Sequence, residues 1–216
     1  MDLAATLFST GWASGVNAYA TVALLSLAGR AGVGEVPDGI ESDPVLFISI
    51  GMFLVEFVTD KIPWLDSVWD SVHTFIRPAI AVVLGFQFGG ESGISGIEEA
   101  LGAGGSGATA LASHAVKAGI RLGINTSPEP ATNIIASLTE DGLVAVVVLF
   151  SINNPEIAAA IAFILLAIGL TVIVFLWKRI RLALKRRRER KLGIAPAEEP
   201  DAEHHDPPDP SLERSR

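Results

Sequence analysis

Between residues 56 and 78 the chain reads E-F-V-T-D-K-I-P-W-L-D-S-V-W-D-S-V-H-T-F-I-R-P, a run of ionisable side chains set between apolar stretches. Glu56 and Asp60 are four apart, so a helix puts both carboxylates on one face, with Lys61 beside them. Asp66, Asp70, His73 and Arg77 follow at spacings of four, three and four, which makes one continuous polar stripe on a second helix started after Pro63. Carboxylates in an apolar chain can bind and release a proton or cation, and His73 is the side chain that titrates nearest neutral pH. Asp66, Asp70 and His73 also offer the oxygen and nitrogen donors that metals use, although this spacing specifies no metal. In an enzyme acting on a lipid or a phosphorylated lipid carrier, the same three would supply acid-base or metal chemistry and Arg77 would clamp phosphate. An amphipathic connector anchored at the membrane interface by Trp64 and Trp69 accounts for the stripe without any site.

The second half of the chain holds a basic counterpart. His114, Lys117 and Arg121 are spaced by three and four residues, and N-T-S-P-E-P-A-T-N follows from Asn125 to Asn133. Pro128 and Pro130 interrupt the backbone there, so Glu129 and Asn133 flank either a surface turn or a break whose free amides and carbonyls line a cavity. Glu140 and Asp141 then fall inside an apolar segment, where Lys117 or Arg121 can compensate them. Asn17, in G-x-N-A-Y, is the polar candidate of the first apolar segment.

These side chains must be positioned by membrane helices. Half of the 216 residues are hydrophobic and 19% are charged, which is the composition of a membrane protein. With no cysteine, thiolate metal sites, iron-sulfur clusters and cysteine nucleophiles are excluded, and no cofactor is expected. A spanning helix needs about 20 mostly apolar residues. Six segments qualify or come close, at 3–28, 45–60, 72–88, 97–122, 133–152 and 157–177. The N-terminus lacks the positive region of a signal peptide, so the first segment is expected to be retained.

The net charge of -8 conceals an asymmetry, because residues 178–191 read K-R-I-R-L-A-L-K-R-R-R-E-R-K. Directly after a spanning segment, such a block is a cytoplasmic anchor that favours anionic lipid head groups rather than nucleic acid. Six spans then place both termini in the cytoplasm of a multi-pass protein of the cell inner membrane. Glu35, Asp38, Glu41, Asp43, Glu91, Glu98, Glu99 and Glu156 fall outside, and Arg30 is the one cation on the wrong side. Residues 14–21 align with 106–113 on serine, glycine and two alanines, which suggests two inverted three-helix repeats. Residues 192–216 are acidic and proline-rich and are expected to be a disordered tail, in which His204 and His205 are solvated.

Four motifs, G-x-N-A-Y (Gly15 to Tyr19), E-x3-D-K-I-P-x2-D-x2-W-D-x2-H-T-x2-R-P (Glu56 to Pro78), H-x2-K-x3-R (His114 to Arg121) and S-P-E-P-x2-N (Ser127 to Asn133), resemble the bacterial membrane-protein family called domain of unknown function 4126. The resemblance covers about residues 8 to 178 and implies a membrane protein without implying an activity. The expected architecture is an all-α polytopic domain over 1–178, a basic juxtamembrane segment over 179–191 and a tail over 192–216. The expected function is a small proton- or cation-coupled transporter or channel-like permease with an ion or small-molecule substrate. Its alternatives are the lipid-phosphate enzyme, lowered by the absence of G-x-S-x-G and H-E-x-x-H, and a membrane scaffold.

Overall fold

The computed structural model describes residues 2–62, 64–125 and 130–191. Met1, Pro63, residues 126–129 with Glu129 among them, and the tail from 192 with His204 and His205 lie outside the described residues. Among those described, all regular structure is helical: α1 (Leu3–Arg30), α2 (Asp43–Thr59), α3 (Leu65–Glu91), α4 (Ile97–Asn125), α5 (Pro130–Asn153) and α6 (Pro155–Lys191). The chain forms two compact units, residues 1–176 and residues 177–216. In the second, the helix exposes its basic side chains from Lys178 to Arg188, and Arg181 stacks over the Trp177 ring at 4.7 Å.

Local chemistry sets the helix ends. Asp2 caps α1 by accepting from the Ala5 amide. Both α1 and α3 close with a Schellman turn on a glycine of positive φ: Val33 N–H reaches Ala28 O around Gly32, and Ile94 N–H reaches Gly89 O around Gly93. Pro44 sits in the first turn of α2, and Pro155 opens α6 straight after Asn154. The third helix starts at Leu65, seven residues before the expected span, so the polar stripe of Asp66 to Arg77 belongs to one helix that continues through Pro78.

Contacts fix the helix directions. α3 and α4 are antiparallel, with Asn125 on Ser67, His114 on Thr74 and Gly85 against Ala103. The first part of α1 runs alongside α4 in the same direction, since Gly11 packs on Ser106, Trp12 O accepts from Ser113, and Val16 O accepts from Lys117. The second part follows α3: Tyr19 meets His73, Val22 lies beside Ile76 and Ile80, and Gly39 in the following loop meets Gln87. It also follows α5, from Asn17 at Asp141 to Gly34 at Ile152. Two neighbours that run in opposite directions therefore each run with one half of α1. The chain doubles back at Asn17, whose φ of -150° and ψ of 97° are not helical.

This bears on three expectations. Residues 3–28 are not a single span, because each half of α1 is only about 20 Å long at about 1.5 Å per residue, against roughly 30 Å of hydrocarbon. The inverted repeat is not confirmed: the first part of α1 and α4 are parallel neighbours, and the described residues of α4 contain no break like that at Asn17. The N-terminal end of α1 and Leu176 also lie at opposite ends of the first unit: Leu7 meets Gly102 near the start of α4, and Leu176 meets Gly123 near its end. The expectation that both termini lie on one side has no support from this arrangement.

The doubled α1 forms the centre, and α2, α3, α4 and α5 all pack closely on it. Its residues are buried on every side from Gly11 to Ala18, and the apolar core joins Leu7, Trp12 and Leu25 to Leu84, Phe88, Val144, Val147 and Val148. Glycines let the backbones approach: a Cβ on Gly11 would stand 2.6 Å from Ser106 O, and one on Gly85 would stand 2.6 Å from Ala103 Cα. The outer faces are apolar as well, with Phe47, Phe75, Ile97 and Leu101 all at least 70% exposed. Three helices, α3, α5 and α6, are long and apolar enough to cross a membrane.

Candidate functional site

The polar residues of both halves converge beside the turn in α1. Breaking α1 at Asn17 frees the carbonyls that end its first half and the amides that begin its second. Asn17 serves the amides itself, with Oδ1 accepting from Ala20 N at 2.9 Å while Nδ2 donates to Asp141 at 3.0 Å. The carbonyls are served by cations from elsewhere in the chain, Arg77 on Gly15 O at 3.3 Å and Lys117 on Val16 O at 3.1 Å.

Those cations organise the carboxylates. Arg77 is fully enclosed and meets Glu56 at 2.7 Å and Asp70 at 3.0 Å. The Glu56 contact is an aligned hydrogen bond, whereas the Asp70 contact is an ion pair without that alignment. Lys117 donates to Asp60 at 2.8 Å and lies 3.5 Å from Glu56 and 3.6 Å from Glu140. Arg121 grips Glu140 with two hydrogen bonds, at 2.6 and 3.1 Å, and also donates to Asn133 Oδ1 and to the Asp60 carbonyl. Asp66 accepts from Asn125 at 3.3 Å and lies 3.9 Å from Arg121. Every described Asp, Glu, Lys and Arg among the expected site residues thus joins one polar centre.

The hydrogen bonds define the state of both histidines. His73 Nδ1 faces the Trp69 carbonyl at 2.8 Å, which can only accept, so Nδ1 carries the proton and Nε2 accepts from Tyr19 Oη at 3.0 Å. His114 Nδ1 faces an Arg77 N–H at 2.7 Å and therefore accepts, which leaves Nε2 to donate to Thr74 Oγ1 at 3.1 Å. The His114 ring is therefore neutral, and both rings are buried. Protonating His73 Nε2 would reverse this bond, the ring then donating to Tyr19 Oη, which can also accept.

The stripe of Asp66, Asp70, His73 and Arg77 faces the interior, all four residues being at most 3% exposed, so it is not the face of an interfacial connector. Trp64 is 72% exposed, as an anchor would be, but Trp69 stacks on His73. Among the described residues no group of three His, Asp or Glu side chains is arranged to hold a metal, and Asp66, Asp70 and His73 point to different partners. Lys61, at the α2–α3 connection, sits over the Phe57 ring at 3.0 Å and donates to Phe57 O at 2.7 Å. Burial lowers its ammonium pKa against the opposing pull of Asp141 and Asp60.

Sequence reasoning missed the turn itself, along with the carbonyls of Gly15 and Val16, the hydroxyls of Tyr19 and Thr74, and Asn125. The available signal was Asn17: asparagine favours helix starts over helix interiors, and it follows Gly15 in a stretch of small residues.

Opposite charges do not balance among the most buried residues. Glu56, Asp60, Asp66 and Asp70 stand against Arg77, Lys117 and Arg121, with the less buried Glu140 and Asp141 adding to the acidic side. Glu56 Oε2, Asp60 Oδ1, Asp66 Oδ1, Asp70 Oδ2 and Asp141 Oδ2 each lack a protein donor. Chemically, such a centre has room for protons or small cations and no free cationic face for an anion.

No curated protein and no solved structure matches the chain. The sequence profile described as Domain of unknown function (DUF4126) matches residues 4–175, and this chain, with its motifs gathered around the α1 turn, belongs to that family.

Proposed function

We propose that this protein is a small multi-pass transporter or channel-like permease of the cell membrane, in which the buried charge network binds and releases a proton or small cation. α2 to α6 cross the bilayer, and α1 enters from one side and returns to it. The residues we assign to the ion path are Asn17, Glu56, Asp60, Asp66, Asp70, Asn133, Glu140 and Asp141. Arg77, His114, Lys117 and Arg121 hold the carboxylates in place, and His73 links Tyr19 to the α3 stripe; Glu129 is assigned to the path on its sequence motif alone. The observation that carries the reading is the meeting of an acid-rich buried network with a broken helix, the arrangement by which membrane transporters coordinate ions within the bilayer.

Charge supports the orientation. The end carrying Glu35, Glu91, Glu98 and Glu156 is acidic, whereas the basic residues 178–191 follow Leu176 at the other, which puts that end in the cytoplasm against anionic lipids. A phosphate-clamping role for Arg77 has no support from the geometry, since Glu56 and Asp70 already occupy it and no part of it is exposed.

Flux tests the reading. Purified protein in liposomes holding a pH-sensitive dye should dissipate an imposed proton or sodium gradient. Glu56→Gln and Asp60→Asn should each slow that flux at least tenfold in folded protein. Wild-type vesicles as tight as empty ones to protons, sodium and potassium would sink the transport reading.

A further inference from the structure

Asp70 is a buried carboxylate that has an opening. A crevice of about 90 Å³ between α3 and α4 is lined by Ser67, Asp70, Ser71, Thr74, Ala118 and Leu122. Residues 67, 70, 71 and 74 share one face of α3, so the crevice follows the helix surface inward to the carboxylate. Asp70 is 3% exposed, and no protein donor reaches its Oδ2. Its partner Arg77 is bonded at 2.7 Å to Glu56, so that guanidinium stays neutralised when Asp70 turns to another charge.

The lining is rich in acceptors and poor in donors. Ser71 commits its hydroxyl hydrogen to Ser67 O at 2.8 Å, and Thr74 commits its own to Asp70 O at 3.1 Å. Ser67 Oγ already receives Asn125 Nδ2 at 2.9 Å. Thr74 Oγ1 also receives His114 Nε2 at 3.1 Å, so these groups present to the crevice the remaining lone pairs of Ser71 and Thr74, the Ser67 hydroxyl and one carboxylate, with no basic side chain lining it. Hard oxygen ligands with a single negative charge suit a monovalent cation rather than a divalent one. The volume admits a small ion with one or two waters.

We propose that this crevice is a sodium site, in which Asp70 Oδ2 and the hydroxyl oxygens of Ser71 and Thr74 coordinate one Na⁺ entering between α3 and α4. The proposal rests on the transport reading and names the ion and its point of entry. Ala118 and Leu122 form the α4 wall, so a larger residue at 118 closes the crevice without touching the ligands.

The test is equilibrium binding of ²²Na⁺ to the purified full-length protein in detergent, with choline chloride holding ionic strength constant. Wild type should bind one Na⁺ saturably, and unlabelled NaCl but not choline should displace it. Asp70→Asn should weaken binding at least tenfold, Ala118→Leu likewise, and Ser71→Ala, on the exposed side of α3, severalfold. Tryptophan emission should follow the same titration and lose its response in Trp69→Phe, because Trp69 precedes Asp70 and stacks on His73 at 4.3 Å. Absence of saturable Na⁺ binding to folded wild type overturns the proposal, as does binding that Ser71→Ala and Ala118→Leu leave unchanged. Gradient-driven flux that persists without Na⁺ binding overturns this site and leaves the transport reading standing. Binding that depends on Asp70 in vesicles that pass no ion supports the site and removes the transport reading.

Discussion

Arg77 shows how much one side chain can be asked to hold. Its guanidinium joins Glu56 on α2, Asp70 on its own helix, His114 on α4 and the Gly15 carbonyl of α1, with none of its surface exposed. Removing a partner from a buried ion pair strands the other charge, which costs about 3–5 kcal/mol. Arg77→Met should therefore lower the thermal unfolding midpoint in detergent sharply, whereas Glu140→Gln, whose side chain is 18% exposed and keeps an acceptor for Arg121, should lower it far less. Equal losses in the two variants would mean that Arg77 is not the hub of the network.

At the scale of elements, the α1 turn depends on how closely its first half sits against α4. A Cβ on Gly15 would collide with Ser113 Oγ and the Ala110 carbonyl, and the latter is backbone that cannot swing aside. Gly15→Ala should destabilise by about 1–3 kcal/mol, the range for overpacking a filled interior. Gly104, on the same helix pair, meets nothing within 4 Å of its Cβ position, and Gly104→Ala should be neutral or slightly stabilising through helix propensity. Chemical unfolding of the two variants side by side separates tight packing from a general intolerance of alanine.

For the whole molecule, the doubled α1 makes a prediction about topology that a six-span arrangement contradicts. The chain has no cysteine, so single cysteines can be introduced without a background. Asp2→Cys and Glu35→Cys, both at exposed positions, should react with a membrane-impermeant maleimide from the same side of sealed vesicles, and Ile62→Cys should react from the other. Labelling of positions 2 and 35 from opposite sides would restore α1 as a full span.

Hydropathy and spacing are properties of the chain read locally, and they were enough to determine a helical protein with membrane-type segments and the set of polar residues that assemble at its centre. Helical spacing alone put Asp66, Asp70, His73 and Arg77 on one face, and that face is the buried one. Which charge pairs with which was decided only by tertiary structure, because Glu56 and Arg77 are 21 residues apart and Asp60 and Lys117 are 57 apart. The turn at Asn17 belongs to the same category. A helix breaks inside an apolar bundle only where its freed carbonyls find donors, and here those donors, Arg77, Ser113 and Lys117, lie 62 to 101 residues away along the chain.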